Sequence, residues 1–337
     1  MDLLRTPMIT AALFAHVTSQ VLVDRGTYTI HLESMGSGKP MVAIAGGPGF
    51  SGRTVWAIGY DLQDTAKVFL FDQLGTGGSK FKPGNKPSQL SIDKTVDDLE
   101  AARKKLGFKK WDVFGQSWGA LVAGLYVTKY PNSVDRLCLA SLPGLDMEDY
   151  LVLGQSLRDR VPEQYETETM ALLKGKTNDE RTAIRIYRDS VYYFYDVETA
   201  KEYANRMPET LFNAATFGSM YGDINQQNFD RIKVGLKKWN GKTLIQHGHQ
   251  DPTGGAMGYK WASFAKNPTV KMYNLCGHFS WLEPSITNTF FTDMRAFLGL
   301  KPPAYSESDF FNANRARVAL RRKLDGWPFG YAPSASH

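Results

Sequence analysis

Short runs of β-branched and aromatic residues alternate with longer helix-like segments along most of this chain. The runs are bounded by turn residues and lie at 27–33, 41–45, 67–71, 111–115, 134–140, 242–248 and 269–275. Alternation of this kind is typical of a mostly parallel sheet covered by helices. We therefore expect an α/β fold with helices on both faces of one central sheet.

Three other segments have helical composition. The clearest covers 91–107, where Ser91 is placed to cap the first turn and Gly107 to end the last one. The other two lie near 258–266 and 282–298. Each follows a strand-like run or separates two of them, as a layered α/β protein requires.

The alternation stops after residue 146. Residues 147–238 read as helices without intervening strands and include the aromatic run Tyr192–Tyr195. This indicates one sheet interrupted by a helical cap. We expect the first part of the core at 1–146, the cap at 147–238, the second part of the core at 239–300 and a C-terminal extension at 301–337.

The composition is that of an ordinary globular protein, with 42% apolar and 22% charged residues. No apolar run approaches the roughly 18 residues that indicate a membrane span, so we expect no membrane partner. The segment 8–15 is the nearest to a signal-peptide core. Because it is short and Asp2 precedes it, an N-terminal strand or helix is favoured over an export signal.

Two cysteines, Cys138 and Cys276, are too few for a disulfide framework and lack the C-x-x-C spacing of a metal site. We expect buried, reduced thiols and a cytoplasmic location.

The net charge of +6 is partly concentrated near the C-terminus, at 315–323. A solvated helix face is the usual meaning of such a cluster. Since no nucleic-acid motif accompanies it, we expect no nucleic-acid partner, and a homodimer is left open.

Gly115-Gln116-Ser117-Trp118-Gly119 joins a strand-like run to a helix-like segment. In a nucleophile elbow, a strained turn of this kind holds a serine hydroxyl above the sheet edge. The N-terminus of the following helix also favours negative charge there. A helix-capping serine in a glycine-rich turn is the alternative interpretation. The pattern predicts Ser117 as the nucleophile of a serine hydrolase.

A serine hydroxyl needs a base that removes its proton. The chain has six histidines, and His278 lies between the last predicted strand and the last predicted helix. That is where the final member of the chain order Ser, Asp or Glu, His belongs. His247 and His249, on either side of Gly248, are the alternatives. We predict His278 as the base.

The acid that orients the base should follow the penultimate strand. Asp251 stands there, three residues beyond Gly248. Its carboxylate would hold one imidazole nitrogen and fix the tautomer. An ordinary Asp-Pro turn is the structural alternative, and Asp146, after an earlier strand, is the alternative acid.

A developing oxyanion needs hydrogen-bond donors, each worth roughly 3 kcal/mol. The segment 43–52 ends a strand in Gly-Gly-Pro-Gly, which lets main-chain N–H groups face a ligand. We predict that the two donors are the backbone N–H groups of Gly47 and Trp118.

Five stretches of the chain carry a resemblance to a known family. They are Gly46-Gly47-Pro48-Gly49, Asp72-Gln73-Leu74-Gly75-Thr76-Gly77-Gly78-Ser79, Gly115-Gln116-Ser117-Trp118-Gly119, Asp251 and Gly277-His278. In this order the chain resembles an α/β-hydrolase, and specifically the proline iminopeptidase family of serine peptidases. The resemblance covers about 20–145 and 240–300.

The resemblance implies the α/β-hydrolase fold with a helical cap, and a Ser117–His278–Asp251 triad that works without a metal or organic cofactor. It implies a small-molecule or short-peptide substrate. The candidate substrate-binding residues are Gly46, Pro48 and Gln116, together with Tyr192 and Tyr193 of the aromatic run, whose alternative role is to form the core of the cap.

The chain departs from the family pattern at three points. Ala45 stands where histidine is usual before the glycines, and Leu74 stands where arginine is usual. No tryptophan lies between Trp118 and Trp239, so the Trp-Glu pattern near the substrate amine has no counterpart. Amide cleavage, ester, thioester or lactone cleavage, and acyl transfer or cyclisation therefore stay open, and a non-catalytic binder is the competing class.

Overall fold

A nine-stranded sheet forms the centre of the described part of this chain. The computed structural model describes residues 17–84, 90–196, 199–200 and 212–302. The segment 8–15 and the C-terminal extension beyond 302 lie outside the described residues. The strands are β1 (Val17–Asp24), β2 (Tyr28–Met35), β3 (Lys39–Ile44), β4 (Ala66–Phe71), β5 (Lys80–Phe81), β6 (Trp111–Gln116), β7 (Val134–Ala140), β8 (Lys242–Gly248) and β9 (Asn267–Tyr273).

Helices connect and cover these strands. They are α1 (Trp56–Leu62), α2 (Ile92–Lys105), α3 (Trp118–Lys129), α4 (Met147–Arg160), α5 (Glu163–Leu172), α6 (Asn178–Asp189), α7 (Ala214–Tyr221), α8 (Gln226–Lys238), α9 (Met257–Ala262) and α10 (Thr287–Phe297). Short 3₁₀ turns lie at Gly52–Val55, Ser190–Tyr193 and Ser280–Leu282. None of the helices in these ranges is both long and apolar enough to cross a membrane.

The sheet has the order β1-β2-β4-β3-β6-β7-β8-β9, with β5 beside β2. Along this order, every neighbouring pair from β4 through β3, β6, β7 and β8 to β9 is parallel. Strand β2 pairs antiparallel with β1, β4 and β5. The carboxyl ends of β3, β6, β7, β8 and β9 therefore meet at one edge. This edge is where a parallel sheet places a ligand site.

Alternate strand residues face opposite layers, because side chains along a strand alternate between its two faces. On β3, Val42 and Ile44 join one core cluster with residues of α2, α3, α8 and α9. Met41 and Ala43 join a second cluster with residues of α1 and α10. The expected mostly parallel sheet with helices on both faces is confirmed.

The predicted strands agree with the observed ones within about two residues at either end, and 134–140 and 242–248 agree at both ends. Helix α2 also agrees with its prediction, since the Ser91 hydroxyl accepts from Lys94 N–H. Gly107 takes a positive φ of 76° just beyond the helix. Helix α1, strand β1 and the short strand β5 were not predicted.

The predicted helix 282–298 is wrong at its start. Pro284 disfavours helical geometry at the residue before it, and Glu283 is extended, with φ −77° and ψ 118°. The helix α10 therefore begins only at Thr287.

Helix α8, which lies within the segment expected as the cap, packs against helix α3. Its Ile232 reaches the surface of α3 at Gly124, where an added Cβ would lie 2.9 Å from Ile232 Cγ2. Helices α4 to α7, between β7 and α8, make up the rest of the segment expected as the cap. The division of the chain into core and cap stays a prediction.

Candidate active site

Ser117 lies in the turn between β6 and α3, with φ 54° and ψ −121°. A positive φ is strained for a residue with a Cβ, and such strain is concentrated at functional sites. Close packing requires glycine at position 119, because a Cβ there would lie 2.3 Å from the Ile44 carbonyl oxygen. The Ser117 N–H donates to Ala140 O on β7. Strand, turn and helix together hold the serine at the carboxyl edge of the sheet.

His278 and Asp251 lie side by side at the same edge. Nδ1 of His278 is 2.9 Å from Oδ2 and 3.0 Å from Oδ1 of Asp251. Since an ionised carboxylate only accepts, Nδ1 carries the donated proton, and Nε2 is left as the acceptor. Thr253 donates to Asp251 Oδ1 from both its N–H and its hydroxyl, which holds the carboxylate in place.

Asp251 remains ionised at neutral pH. Burial acts to raise the pKa of its carboxyl group, but electrostatic interaction with the His278 and His247 rings and the hydrogen bonds from His278 and Thr253 outweigh it and lower the pKa to about 2. An ionised acid against Nδ1 stabilises the imidazolium that forms when Nε2 takes a proton. Among the described residues the Ser117 hydroxyl makes no hydrogen bond. Catalytic hydrogen bonds often tighten only when substrate is bound.

His247, an alternative base, is fully buried and bonded on both ring nitrogens. Nδ1 accepts from Leu142 N–H at 3.0 Å, and Nε2 lies 3.0 Å from Gly254 O, to which it donates. Burial lowers the pKa of His247 below its ordinary value of 6.5, so the ring is neutral. It joins three backbone segments at the sheet edge rather than serving as a base. His249, the other alternative, is exposed.

Asp146, the alternative acid, is committed elsewhere. Its Oδ1 accepts from Asp149 N–H and so caps α4. Its Oδ2 lies 2.7 Å from Lys260 Nζ. Of the two candidate acids, Asp251 is the one in contact with His278.

The glycine loop after β3 lies against the serine turn. Gln116 Oε1 accepts from Gly46 N–H at 2.8 Å, and a Cβ at Gly46 would lie 2.1 Å from that oxygen. Gly47 has a positive φ of 53°. No described residue accepts a hydrogen bond from the N–H of Gly47 or Trp118. Both N–H groups are therefore available as donors, and Gln116 holds the loop to the elbow.

The two tyrosines predicted to bind substrate have different positions. The Tyr193 ring lies 5.1 Å from the His278 ring, centroid to centroid, and the Tyr193 carbonyl accepts from His278 N–H. Tyr192 packs edge-on against Tyr165 of α5, 5.3 Å away. The structure therefore brings Tyr193, and not Tyr192, to the base. Pro48 is buried within the glycine loop.

An aromatic row connects the glycine loop to helix α7. Ring centroids lie 4.8 Å apart for Phe50 and Phe212, 5.7 Å for Phe212 and Phe217, and 5.3 Å for Phe217 and Tyr221. Gly49 O also accepts from Asn213 N–H. Sequence reasoning missed this row. Glycine at position 49 allows this approach, since a Cβ there would lie 2.6 Å from Asn213 O, but the sequence alone does not reveal the contact.

Comparison with known proteins agrees with this geometry. The family model for the alpha/beta hydrolase fold matches residues 39–285. A putative proline iminopeptidase of Mycoplasma genitalium is 34% identical over 142 residues, covering 39% of this chain and 45% of the relative. The proline iminopeptidase of Clostridioides difficile is 26% identical over 193 residues, covering 57% and 64%. The aligned stretches span less than two thirds of either relative.

Solved structures share the fold. An alpha/beta fold family hydrolase from Bacillus anthracis superposes with a TM-score of 0.64 at 19% identity, covering 82% of this chain and 98% of that one. The resemblance read from the motifs is thus confirmed. A parallel sheet, a strained serine turn at its carboxyl edge and a family match over most of the chain lead to one conclusion: this chain belongs to the α/β-hydrolase fold family.

Proposed function

We propose that this protein is a serine hydrolase that cleaves a small amide or ester through an acyl-enzyme. The observation that carries the proposal is the buried Asp251–His278 pair, which lies at the sheet edge where Ser117 occupies a strained turn. The pair supplies an oriented base, and the turn supplies an available hydroxyl.

In the proposed reaction, Ser117 Oγ attacks the substrate carbonyl carbon while His278 Nε2 takes the hydroxyl proton. The carbonyl oxygen becomes an oxyanion that the N–H groups of Gly47 and Trp118 stabilise. The bond to the leaving group breaks, and the leaving group receives the proton from His278. Water then attacks the acyl-enzyme by the same route, which releases the acid and restores Ser117. No step needs a cofactor.

An apolar group next to the substrate carbonyl is supported by the aromatic row. Phe50 belongs to the loop that carries Gly47, so the row begins beside the expected oxyanion. Aromatic rings favour an apolar acyl group or side chain. A small molecule or short peptide with such a group is the proposed substrate.

Amide cleavage next to a free amine is favoured over simple ester cleavage by one further observation. Asp189, at the end of α6, is half-buried, and burial raises the pKa of its carboxyl group to about 6. Its charge acts on Tyr193, the residue packed on His278. The charges of Arg185 and Arg188 act on it, although no described residue forms an ion pair with it. A substrate ammonium group would supply that partner, and the names of the relatives also support this reading.

Labelling with a fluorophosphonate probe tests the proposal. We expect the intact protein to label at Ser117 and a Ser117→Ala variant to remain unlabelled. A folded protein that does not label would support a non-catalytic binder instead. Proline and alanine p-nitroanilides, their N-acetylated forms and p-nitrophenyl esters distinguish the substrate classes. Turnover of the esters alone would exclude the aminopeptidase reading, and product formation with added amines would indicate acyl transfer.

We also propose a cytoplasmic location. Cys138 and Cys276 support it, because both are buried free thiols, as expected in a reducing compartment. Whether the protein acts as a monomer or a homodimer is tested by light scattering of the full chain.

A further inference from the structure

The loop that carries His278 lies directly against a segment of the cap. His278 N–H donates to the Tyr193 carbonyl at 2.6 Å. The preceding residue must be glycine, because a Cβ at Gly277 would lie 2.3 Å from Tyr193 O and 2.9 Å from Phe194 Cα. The backbone position of the candidate base is therefore set partly by residues 193–196 of the cap.

Glu283 joins the same two segments. Its side chain is fully buried. Oε1 accepts from Gly277 N–H at 3.0 Å and from Tyr195 N–H at 2.7 Å, while Oε2 accepts from Asp196 N–H at 3.1 Å. One carboxylate thus bonds the residue next to His278 and two consecutive residues of the cap.

The start of helix α10 fixes the backbone of Glu283. Its carbonyl accepts from the N–H and the hydroxyl of Thr287, the first residue of α10, and from Ile286 N–H. Helix α10 is in turn packed into the core through Phe290 and Met294. The carboxylate therefore extends from a rigid support, as a residue that positions others requires.

Loss of the hydrogen bonds that the Glu283 carboxylate accepts would lower the stability of both segments. Hydrogen bonds to an ionised carboxylate are stronger than neutral ones. Without this acceptor, the N–H groups of Gly277, Tyr195 and Asp196 would lose their partner, and the Gly277 N–H is buried, where an unsatisfied donor is costly.

We propose that Glu283 is a positioning residue of the proposed reaction: it fixes the His278 loop and the cap segment Tyr193–Asp196 as one unit, so that the orientation of the base depends on the cap. The proposal rests on the proposed function for its kinetic consequence. It does not depend on that function for the coupling of the two segments.

The kinetic test compares Glu283→Gln with the matched control Asp98→Asn. Asp98 is also a buried carboxylate, bonded to Arg25 and Tyr28 far from the His278 loop. With a small p-nitrophenyl ester we expect kcat of Glu283→Gln to fall at least about tenfold, because small displacements of a catalytic group are costly. We expect KM to change less than about twofold, since this ester gains little from the cap. Asp98→Asn should lose thermal stability and keep its kcat.

A Glu283→Gln variant that is folded and keeps both kcat and its fluorophosphonate labelling rate would overturn the positioning role. Loss of stability in both variants with unchanged kcat would do the same. If the wild-type protein neither labels nor turns over, the proposed function fails, and this outcome is separate because it concerns the protein without substitution.

Hydrogen exchange on the wild-type protein tests the coupling even if Glu283→Gln does not fold. We expect the amides of Gly277, Tyr195 and Asp196 to be protected and to exchange at similar rates, as one cooperative unit. Fast exchange at Tyr195 and Asp196 beside a protected Gly277 would show that the cap segment opens independently, which overturns the proposal.

Discussion

Nδ1 of His278 lies 2.9 Å from Oδ2 of Asp251, and both side chains are almost completely shielded from solvent. A buried carboxylate in this contact makes His278 donate through Nδ1 and accept through Nε2. The proposed chemistry depends on this one choice of tautomer.

The tautomer can be reversed by Asp251→Asn. The asparagine amide can donate to Nδ1, which moves the imidazole proton to Nε2 and removes the base. We expect kcat to fall by about 10⁴-fold, the loss typical of this substitution in serine hydrolases. The measurement is steady-state turnover of the best substrate.

Asp146→Asn is the control for that substitution, because Asp146 caps α4 and pairs with Lys260 without contact to His278. We expect its kcat to stay within a few-fold of wild type. An Asp251→Asn variant with near wild-type turnover would show that the acid lies elsewhere.

Replacing Ser117 separates its strain from its chemistry. Ser117→Ala and Ser117→Gly should both lose turnover and fluorophosphonate labelling. Because only glycine adopts a φ of 54° without strain, we expect Ser117→Gly to be more stable than Ser117→Ala by about 1 kcal/mol. Chemical denaturation measures the difference. Equal stability of the two variants would mean that the turn stores no strain at this residue.

The bond between Gln116 and the glycine loop supports the proposed oxyanion donor. Gln116→Met keeps the side-chain length but leaves Gly46 N–H without its acceptor, a loss of about 1–3 kcal/mol for a buried donor. We expect the loop to shift and kcat to fall by roughly tenfold or more. The fall in kcat is measured by steady-state turnover of an activated ester.

The matched control is Gln246→Met, since Gln246 is a buried glutamine bonded to Tyr273 and Phe290, away from the glycine loop. It should lose stability and retain kcat. If both variants lose the same activity, the Gln116 effect is a general one of core disruption.

The neutral state of His247 makes stability depend on pH. Burial lowers the pKa of His247 in the folded protein below its ordinary value of 6.5. Between those two pKa values the unfolded chain binds the extra proton, so the free energy of unfolding falls as pH falls below 6.5. One group contributes up to about 1.4 kcal/mol per pH unit in this window.

We therefore compare denaturation at pH 7 and pH 5 in wild type and in His247→Gln, which has no imidazole at this position. The wild-type protein should lose more stability on acidification than the variant does. Burial raises the pKa of Asp98 to about 6, which has the opposite effect, but this contribution is present in both proteins and cancels in the difference. Equal pH dependence would show that His247 is not buried in its neutral form.

Local patterns in the sequence predicted the strands and three polar residues that follow them. Ser117 could be found because glycines, a strand-like run and a helix-like segment are adjacent along the chain. Asp251 and His278 could be ranked above Asp146 and His247 because they follow the last two strands. The contact between Asp251 and His278 was predicted, and the structure places the two side chains together.

The contacts that hold this site together could not be predicted, because the residues that make them are distant in sequence. Gly46 and Gln116 are 70 positions apart, and Glu283 and Tyr195 are 88 apart. Contacts between such distant residues produce no periodic pattern in the sequence. A glutamate is also expected at the surface, so the sequence does not show that Glu283 is buried. The aromatic row from Phe50 to Tyr221 is of the same kind.

The sequence by itself thus determined seven of the strands, their alternation with helices along the chain, and the residue types that follow the strands, since strand and turn preferences act between near neighbours. Only the tertiary structure decided which histidine is buried and neutral, which aspartate faces an imidazole, and which carboxylate joins the His278 loop to the segment Tyr193–Asp196. Those outcomes depend on burial and on hydrogen bonds between segments that only the folded chain brings together.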